Sequence, residues 1–248
     1  MKDRIGDDPE MIKLDQIAQE YRKPDAGRRV DQKLIGMLAE KTIPSMTGPE
    51  ILEMGSGDDQ WTQRIIERFG HSHMVDGSQT LINAAKKKYG SKLTAYHSLF
   101  ENFKPKKKFD TIIASWVLEH VENPAQVLAV AAKWLKPQGQ IFVIVPHANS
   151  LHRRLAVAMG LLRTTDELGP SDVQLGHHWV FTIPRIEAAI VDAGLQIVRK
   201  QGLLSKPLPQ GMMTEFSDAL LEGLMKLGDE LPIEYACCVS FVCRRNHA

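Results

Sequence analysis

The chain reads Ile51-Leu52-Glu53-Met54-Gly55-Ser56-Gly57-Asp58-Asp59 where a short apolar run meets two glycines and then a helical pattern. A buried strand that ends in glycines and leads into a helix is typical of a ligand-binding turn, because glycine lets the backbone turn tightly and approach a ligand closely. The free N–H groups at the start of the helix face the same ligand. The segment therefore predicts a strand–turn–helix unit with a binding site at the carboxyl end of the strand.

Apolar runs and helical patterns alternate on both sides of this turn. The strand-like runs cover residues 50–54, 73–75, 92–97, 109–114 and 141–145. Strands that are apolar at every position and alternate with helices imply a parallel sheet that is covered on both faces. Residues 195–198 and 235–243 are also strand-like, and a long connection separates them. We therefore predict an α/β fold, a doubly wound Rossmann-like sheet that is mostly parallel, with an antiparallel edge pair and helices on both faces.

Two of the helices are predicted with explicit limits. Asn123 and Pro124 open one of them, with a capping residue followed by proline at the first helical position. This helix is expected to carry Leu135 inward and to stop before Pro137. The other is expected over residues 151–162.

Two phosphate-binding motifs can be tested against the glycine turn. A P-loop requires Gly-Lys-Ser/Thr after four intervening residues, and the chain has no such sequence. A dinucleotide-binding turn requires a third glycine at position 60, where the chain has Gln60. An acidic residue just before the glycines, Glu53, would also repel a pyrophosphate. The turn therefore favours a ligand without phosphates.

In these residues the sequence resembles the class I S-adenosylmethionine-dependent methyltransferases. Their first motif is an acidic residue followed by Gly-x-Gly, which Glu53, Gly55 and Gly57 match, while Asp59 replaces the third glycine that is often present. An acidic turn suits the cofactor of this family, which carries a sulfonium and an ammonium group. The resemblance implies that Asp76, at the end of the second strand, binds the ribose, because two carboxylate oxygens suit two hydroxyl donors.

The resemblance assigns further residues to the cofactor S-adenosyl-L-methionine and its product S-adenosyl-L-homocysteine. It implies that the adenine lies between apolar side chains such as Leu99 and Phe100, although Ser98 stands where many members have an acidic residue. The expected cofactor-binding residues are Glu53, Gly55, Ser56, Gly57, Trp61, Asp76, Gly77, Ser78, Leu99, Phe100, Ser115, Trp116 and His120.

Two later segments strengthen the resemblance. Residues 109–121 read Phe-Asp-Thr-Ile-Ile-Ala-Ser-Trp-Val-Leu-Glu-His-Val, which is similar to the signature of the small-molecule branch that includes the ubiquinone-biosynthesis type. Residues 135–139 resemble the Leu-Lys-Pro-Gly-Gly turn, with Gln138 in place of the first glycine. The match covers roughly residues 50–146. Methyltransferases that act on DNA base amines carry Asp/Asn-Pro-Pro-Tyr/Phe where Ser115-Trp116-Val117 stands, so a nucleic-acid substrate is not expected.

The acceptor must be inferred from the remaining polar residues. A hydroxyl acceptor needs a base, and histidine is suited to that near neutral pH. The catalytic candidates are His177, His178 and His120. Basic side chains in the segment after the fifth strand would favour an anionic acceptor through charge-assisted hydrogen bonds, although a solvent-exposed basic helix would have the same sequence. The expected substrate-binding residues are Tyr21, His147, His152, Arg153 and Arg154. No metal-ligand spacing is seen, so metal-independent transfer is expected.

Composition limits the partners. The 248 residues include 31 Lys and Arg against 30 Asp and Glu, a net charge of +1, which argues against a nucleic-acid partner. No apolar run approaches the ~20 residues that span a bilayer, and the mixed-charge N-terminus does not resemble a signal peptide. We expect a cytoplasmic protein, monomer or homodimer, without a membrane partner, that methylates oxygen or nitrogen of a small polar metabolite, either neutral or anionic.

The expected domain organisation has an N-terminal helical cap, residues 1–45, and a cofactor-binding methyltransferase domain, residues 46–248. Within the second part, residues 147–182 form an insertion that covers the substrate. Two other functions remain open. One is a protein or peptide methyltransferase, which would need an open groove in place of the cover. The other is an inactive cofactor-binding module, which the departures at Asp59 and Gln138 would favour.

Overall fold

The computed structural model describes residues 8–21 and 26–246, with the backbone alone at residues 20, 21 and 26. Strands and helices alternate through the middle of the chain. The strands are β1 Ile51–Met54, β2 Ser72–Asp76, β3 Leu93–His97, β4 Phe109–Ser115, β5 Leu135–Pro146, β6 Leu195–Leu203 and β7 Cys238–Arg245. The helices are α1 Pro9–Tyr21, α2 Ala26–Thr42, α3 Gln60–Phe69, α4 Gln79–Tyr89, α5 Pro124–Ala132, α6 Leu151–Ala158, α7 Pro170–Gln174, α8 Ile183–Asp192 and α9 Asp218–Glu230.

The strands of the described residues form one seven-stranded sheet in the order β3-β2-β1-β4-β5-β7-β6. The first five strands are parallel, and β7 runs antiparallel between β5 and β6. Apolar side chains fill both faces, in one cluster with α5 and α8 and in a second with α2, α3 and α9. The predicted fold, mostly parallel with an antiparallel edge pair and helices on both faces, is confirmed.

Local sequence signals explain where several helices begin and end. The Ser78 side chain accepts a hydrogen bond from the Leu81 N–H and caps α4. The Asn123 side chain accepts one from the Gln126 N–H at the start of α5, with Pro124 in the first turn. These caps satisfy N–H groups that the first helical turn leaves without partners.

Some predicted limits are wrong. Leu135 does not lie on α5 but begins β5, where it pairs with Phe109. The helix predicted over residues 151–162 ends at Ala158, because Gly160 adopts a φ of +73° and turns the chain away. Helix α9, which was not predicted, lies in the long connection between β6 and β7. Its prolines flank the helix instead of interrupting it, and Leu221, Leu224 and Met225 pack into the core.

The two N-terminal helices occupy different places. Helix α2 contributes Leu34, Leu38 and Ala39 to the buried core, where it packs against α3 and α9. Helix α1 packs against α4, at the edge of the sheet where the parallel strands end. Among the described residues, no helix combines the length and apolarity that crossing a membrane requires.

Candidate active site

The turn after β1 presents bare backbone at the carboxyl edge of the sheet. Gly55 and Gly57 have φ values of +72° and +46°, a conformation that residues with a side chain rarely adopt. A Cβ on Gly55 would lie 2.5 Å from Cγ1 of Val117, whereas a Cβ on Gly57 would meet nothing within 4 Å. Gly55 therefore lets the turn pass close to Val117, and Gly57 leaves open space above the backbone.

This space belongs to a cleft, here called the cofactor cleft, that extends from the glycine turn along the ends of β2, β3 and β4. The predicted cofactor-binding residues that line it are Gly55, Gly57, Asp76, Gly77, Ser78, Leu99, Phe100, Trp116 and His120. The others are not among the residues that line it: Glu53, Ser56, Trp61 and Ser115.

Glu53 has a structural contact instead of one with the cleft. Its side chain is buried and accepts a hydrogen bond from the Thr62 hydroxyl of α3. Burial raises the pKa of Glu53 well above its usual value. The acidic residue of the motif therefore ties β1 to α3.

Asp76 accepts protein hydrogen bonds on both carboxylate oxygens. Oδ2 accepts from the Ser56 backbone N–H at 2.7 Å and the Ser56 hydroxyl at 3.0 Å, and Oδ1 accepts from the Ser78 N–H at 2.7 Å. Burial raises the pKa of Asp76, and these donors act in the opposite direction. Since a carboxylate offers roughly four acceptor positions, about one remains, on Oδ1. Gripping two ribose hydroxyls would require the Ser56 hydroxyl to release its bond.

The far end of the cleft is partly acidic. Leu99 and Phe100 line it together with Ser98, whose hydroxyl is bonded to the Leu99 carbonyl at 2.8 Å. Glu101 and Glu10 of α1 also line the cleft, and burial followed by the charge of Glu101 raises the pKa of Glu10. Two carboxyl groups thus lie near the position where the sequence has Ser98 in place of the more usual acid.

Helix α1 covers the cofactor cleft. Leu14 packs against Gly77, where an added Cβ would lie 2.4 Å from Leu14 Cδ1, and Ile17 packs against Gly176 in the same way at 2.8 Å. The Asp15 carboxylate accepts hydrogen bonds from the Ser78 hydroxyl at 2.6 Å and the Thr80 N–H at 3.0 Å. The helix therefore touches both the cofactor side and the insertion. Tyr21 ends this helix, but its side chain lies outside the described residues.

A cluster of three ligand-type side chains lies beside the cleft, after β4. It consists of Glu119, His120 and His177, here called the acceptor cluster, and one polar atom from each lies within 4.8 Å of the others. The backbone N–H groups of His178 and Trp179 donate to the Glu119 carbonyl at 2.7 and 3.3 Å. The insertion is thus bonded directly to the turn that follows β4.

Asp172 holds one member of the acceptor cluster. Its Oδ1 lies 3.1 Å from His177 Nδ1, and its Oδ2 accepts from Arg153 Nη1 at 3.1 Å and from the Gly169 N–H at 2.8 Å. These donors lower the pKa of Asp172 to about 2 despite its burial. The chain Arg153–Asp172–His177 therefore fixes the orientation of the imidazole.

The predicted base candidates differ in their surroundings. His120 lines the cofactor cleft, and burial lowers its pKa to about 3. His177 packs edge-on against it with ring centroids 4.6 Å apart, and His178 is exposed. Glu119, which the sequence reasoning did not single out, is fully buried, and burial raises its pKa to about 7. A pKa near 7 suits a group that accepts and releases a proton near neutral pH.

The predicted substrate-binding cations contact the protein itself. Besides Asp172, Arg153 binds the carbonyls of Thr165 and Glu167. Arg154 donates to the Asn149 carbonyl at 2.7 Å and stacks over the ring of Tyr235. Neither guanidinium is directed at the cofactor cleft by these contacts.

Two of the predicted histidines lie near the ends of β5 and β6, His147 buried and His152 half-buried. His147 Nδ1 lies 3.2 Å from the Ala236 carbonyl, while its Nε2 has no hydrogen-bond partner among the described residues. Burial lowers the pKa of His152 to about 3, against an opposing hydrogen bond from its ring to the Lys206 backbone.

Lys206 is a cation that was not among the predicted substrate-binding residues. Its side chain, on a residue that is 9% exposed, donates to Gln210 Oε1 at 3.0 Å. It follows the end of β6, which runs parallel to β5, so it lies at the carboxyl edge of the sheet. An ammonium on a largely buried residue, with a neutral partner, is a stronger candidate for an anion contact than an arginine already bonded to carbonyls.

The residues at the cleft fit an adenosyl amino-acid cofactor. The open cradle over Gly57, the acceptor position on Asp76 and the apolar pair Leu99 and Phe100 offer complementary contacts to an amino-acid moiety, a ribose and a base. The acidic surroundings of the turn suit a ligand that carries positive charge.

Comparisons with known proteins agree with this geometry. Residues 19–200 match a family model described as a methyltransferase domain. The ubiquinone biosynthesis O-methyltransferase of Rickettsia conorii is 24% identical over 223 residues, which cover 88% of this chain and 71% of the relative. A malonyl-[acyl-carrier protein] O-methyltransferase of Halalkalibacterium halodurans is 23% identical over 239 residues, 85% of this chain and 88% of the relative.

A solved structure resembles the whole fold. The N-methyltransferase NodS of Bradyrhizobium japonicum, in complex with S-adenosyl-L-homocysteine, has a TM-score of 0.57 at 13% identity, covering 94% of this chain and 98% of that chain. At this level of identity the similarity describes the fold.

Proposed function

This chain belongs to the methyltransferase-domain family, as a class I S-adenosylmethionine-dependent enzyme of the small-molecule branch, and we propose that it methylates an oxygen or nitrogen atom of a small polar metabolite that carries an anionic group. When bound, S-adenosylmethionine supplies an electrophilic methyl carbon on its sulfonium and leaves as S-adenosylhomocysteine. The chain itself must bind the two reactants, exclude water and accept the proton that the acceptor loses.

The size of the acceptor is inferred from the cover over the cleft. Helix α1 lies against Gly77 on one side and Gly176 on the other, and the backbone N–H groups of His178 and Trp179 donate to the Glu119 carbonyl in the turn after β4. An extended polypeptide would need an open groove at this position. The cover therefore supports a small acceptor, with α1 and the insertion 147–182 as its parts.

The cofactor would be held by backbone at Gly55 and Gly57 and by Asp76. We propose that Asp76 Oδ1 binds one ribose hydroxyl, and that Leu99 and Phe100 pack against the base.

Other residues would support these contacts. Ser56 and Ser78 position the Asp76 carboxylate through the bonds that they already make to it. Glu53 and Trp61 act through packing, beneath the turn.

The acceptor cluster would take up the proton that the acceptor atom loses. It lies beside His120, which lines the cofactor cleft, and Asp172 holds His177 in one orientation. We propose that the proton of a hydroxyl or ammonium acceptor leaves towards this cluster. His178 is exposed and is proposed only as a neighbour of the site.

Lys206 is the reason for proposing an acceptor with an anionic group. Its ammonium, on a largely buried residue, has a neutral amide partner, so a carboxylate or phosphate on the acceptor would supply an opposite charge. His147 and His152, near the same sheet edge, would add hydrogen bonds. Arg153 and Arg154 would support the cover, since their guanidinium groups are already bonded to it.

Cofactor consumption in a panel of acceptors tests this function. Each anionic acceptor, phosphorylated or carboxylated, is paired with its neutral ester or alcohol, and short peptides form a separate arm. We expect turnover with an anionic member and at least tenfold lower kcat/KM with its neutral partner. Lys206→Met should remove that difference, whereas Lys200→Met, at a surface ion pair with Glu187, should preserve it. Turnover confined to peptides would replace the proposal with the protein or peptide alternative.

A further inference from the structure

We propose that Glu119, His120 and His177 form a binding site for a divalent transition-metal ion such as Zn²⁺. A potential ligand atom of each side chain lies within 4.8 Å of the other two. Ligands about 2.0–2.2 Å from a tetrahedral Zn²⁺ lie roughly 3.4 Å apart. The distances between the ligand atoms therefore need to shorten by at most about 1.4 Å around the ion, a movement within the range of small side-chain rotations.

The carboxylate of Glu119 points independently to a missing partner. The residue is 0% exposed, and neither Oε1 nor Oε2 has a hydrogen-bond partner in the part of the chain that the structure describes. Buried carboxylates are normally hydrogen-bonded, paired with a cation or bound to a metal. A cation between Glu119 and the two imidazoles supplies that partner.

The surroundings of the histidines match those of metal ligands in proteins. His177 Nδ1 is hydrogen-bonded to Asp172 at 3.1 Å, which leaves Nε2 for an ion, and Asp172 is itself fixed by Arg153 and the Gly169 N–H. The His120 ring is hydrogen-bonded to the backbone of Leu175. Carboxylate and carbonyl partners of this kind orient metal-bound imidazoles and raise their basicity.

The backbone holds the two ligand-bearing segments together. His178 and Trp179 donate to the Glu119 carbonyl, and the Trp179 indole N–H donates to the Val121 carbonyl at 2.8 Å. His177 is therefore held beside the turn of Glu119 and His120 whether or not an ion is bound. Folding of the protein thus supplies much of the free energy that is needed to bring the ligands together.

The donor set selects the kind of ion. Two imidazole nitrogens and one carboxylate favour Zn²⁺ or a similar transition metal over Mg²⁺ or Ca²⁺, which prefer oxygen ligands. Three protein ligands leave a coordination position for water or for an oxygen of a bound molecule. His120 lines the cofactor cleft, so we place that position on the acceptor side. Only this last assignment rests on the proposed function, and the metal site itself does not.

Calorimetric titration with Zn²⁺ alone tests the site. The full chain is first freed of metal with a chelator and dialysed, and neither cofactor nor acceptor is added. We expect one Zn²⁺ per chain with micromolar or tighter affinity, and the visible absorption of a low-coordinate complex when Co²⁺ replaces Zn²⁺. A wild-type chain that binds neither ion would overturn the proposal without recourse to any variant.

Variants locate the ion. Glu119→Gln, which keeps the shape of the side chain, and His177→Ala should each weaken Zn²⁺ binding at least a hundredfold. Asp172→Asn should weaken it about 10- to 100-fold, as loss of a residue that orients a ligand does. His178→Ala is the matched control and should bind like wild type. Thermal melts of each metal-free variant identify misfolded chains.

Undiminished binding to folded Glu119→Gln and His177→Ala would contradict the assignment. The two proposals fail separately in these measurements. A chain that binds Zn²⁺ but consumes no cofactor with any small anionic acceptor refutes the proposed function alone, and a chain that methylates such an acceptor without binding metal refutes this inference alone.

Discussion

The proposed cofactor side and the proposed acceptor side of the cleft are built in different ways. On the cofactor side, Asp76 is bonded to Ser56 and Ser78, and the decisive features are the positive φ angles of two glycines. On the proposed acceptor side, Glu119 lies close to His177 of the insertion. His177 is hydrogen-bonded to Asp172, which forms an ion pair with Arg153. Backbone conformation therefore defines the first side, whereas a network of polar and charged side chains defines the second. Substitutions on one side should change cofactor binding, and substitutions on the other should change turnover.

Gly55→Ala should have the largest effect, and it should fall on the cofactor side. The substitution places a Cβ 2.5 Å from Val117 at a φ of +72°. Strain of this kind costs about 1–3 kcal/mol, and displacement of the turn should weaken S-adenosylhomocysteine binding roughly a hundredfold, since each ~1.4 kcal/mol is tenfold. Calorimetric titration measures the change.

Gly160→Ala is the control for that substitution. Gly160 has a φ of +73° but open space around its Cβ position, and it is not among the residues that line the cleft. Its variant should lose stability and bind the cofactor normally. If both variants bind alike, backbone conformation at the turn does not define the cofactor side.

Asp172→Asn should act on the acceptor side alone. It removes the charge that Arg153 and His177 share, so we expect kcat to fall about ten- to thirtyfold, or ~1.4–2 kcal/mol, with the S-adenosylhomocysteine dissociation constant unchanged. Glu167→Gln, which breaks an exposed pair with Arg163, should leave both quantities intact. A cofactor affinity that falls together with kcat would show that the two sides are not separate.

The acidity of the cofactor side should appear in the pH dependence of stability. Burial raises the pKa of Asp58 from 3.8 to about 6. The folded chain therefore binds more protons than the unfolded chain between these values, and stability falls as pH rises through this window. Wild type should lose about 1 kcal/mol relative to Asp58→Asn between pH 4 and pH 7, an amount reduced for the partial exposure of the side chain. Urea unfolding at the two pH values measures it, and a constant difference would contradict the prediction.

The smallest effect is expected from Asp15→Ala, in the helix that touches both sides. It removes two hydrogen bonds from α1 to Ser78 and Thr80, worth about 1 kcal/mol in total after exposure is considered, and should speed release of S-adenosylhomocysteine two- to fivefold. Gln16→Ala, on an exposed residue of the same helix, is the control. Equal release rates would mean that α1 is held over the cleft by its apolar contacts alone.

The same contrast explains what could be predicted from the sequence. The glycine turn, Asp76 and the order of strands are encoded in short contiguous patterns, so the fold and the family were accessible. Glu119, Asp172 and Lys206 were not, because the burial of Glu119 without a hydrogen-bond partner and the contacts of Asp172 and Lys206 arise only when separate segments fold together. Arg153 was predicted to bind the substrate because the sequence shows its charge. The sequence does not show the carboxylate and carbonyls that the guanidinium already binds.

The acceptor cluster could not be predicted from the sequence for a similar reason, because its residues do not have the spacing of a metal-binding motif. Spacing rules detect ligands that share one helix or loop, whereas Glu119 and His120 belong to the turn after β4 and His177 to the insertion. Similarly, α9 was missed because prolines near its ends obscured a regular apolar face.

The most direct test of the account is titration of S-adenosyl-L-homocysteine into wild type and Asp76→Asn, with Ser56→Ala as the partial substitution. We predict one molecule bound per wild-type chain, binding at least tenfold weaker in folded Asp76→Asn, and a smaller loss in Ser56→Ala, which removes one of the three bonds to the carboxylate. A wild-type chain that binds no S-adenosylhomocysteine, or an Asp76→Asn chain that binds it as tightly as wild type, would contradict the assignment of this cleft to the cofactor.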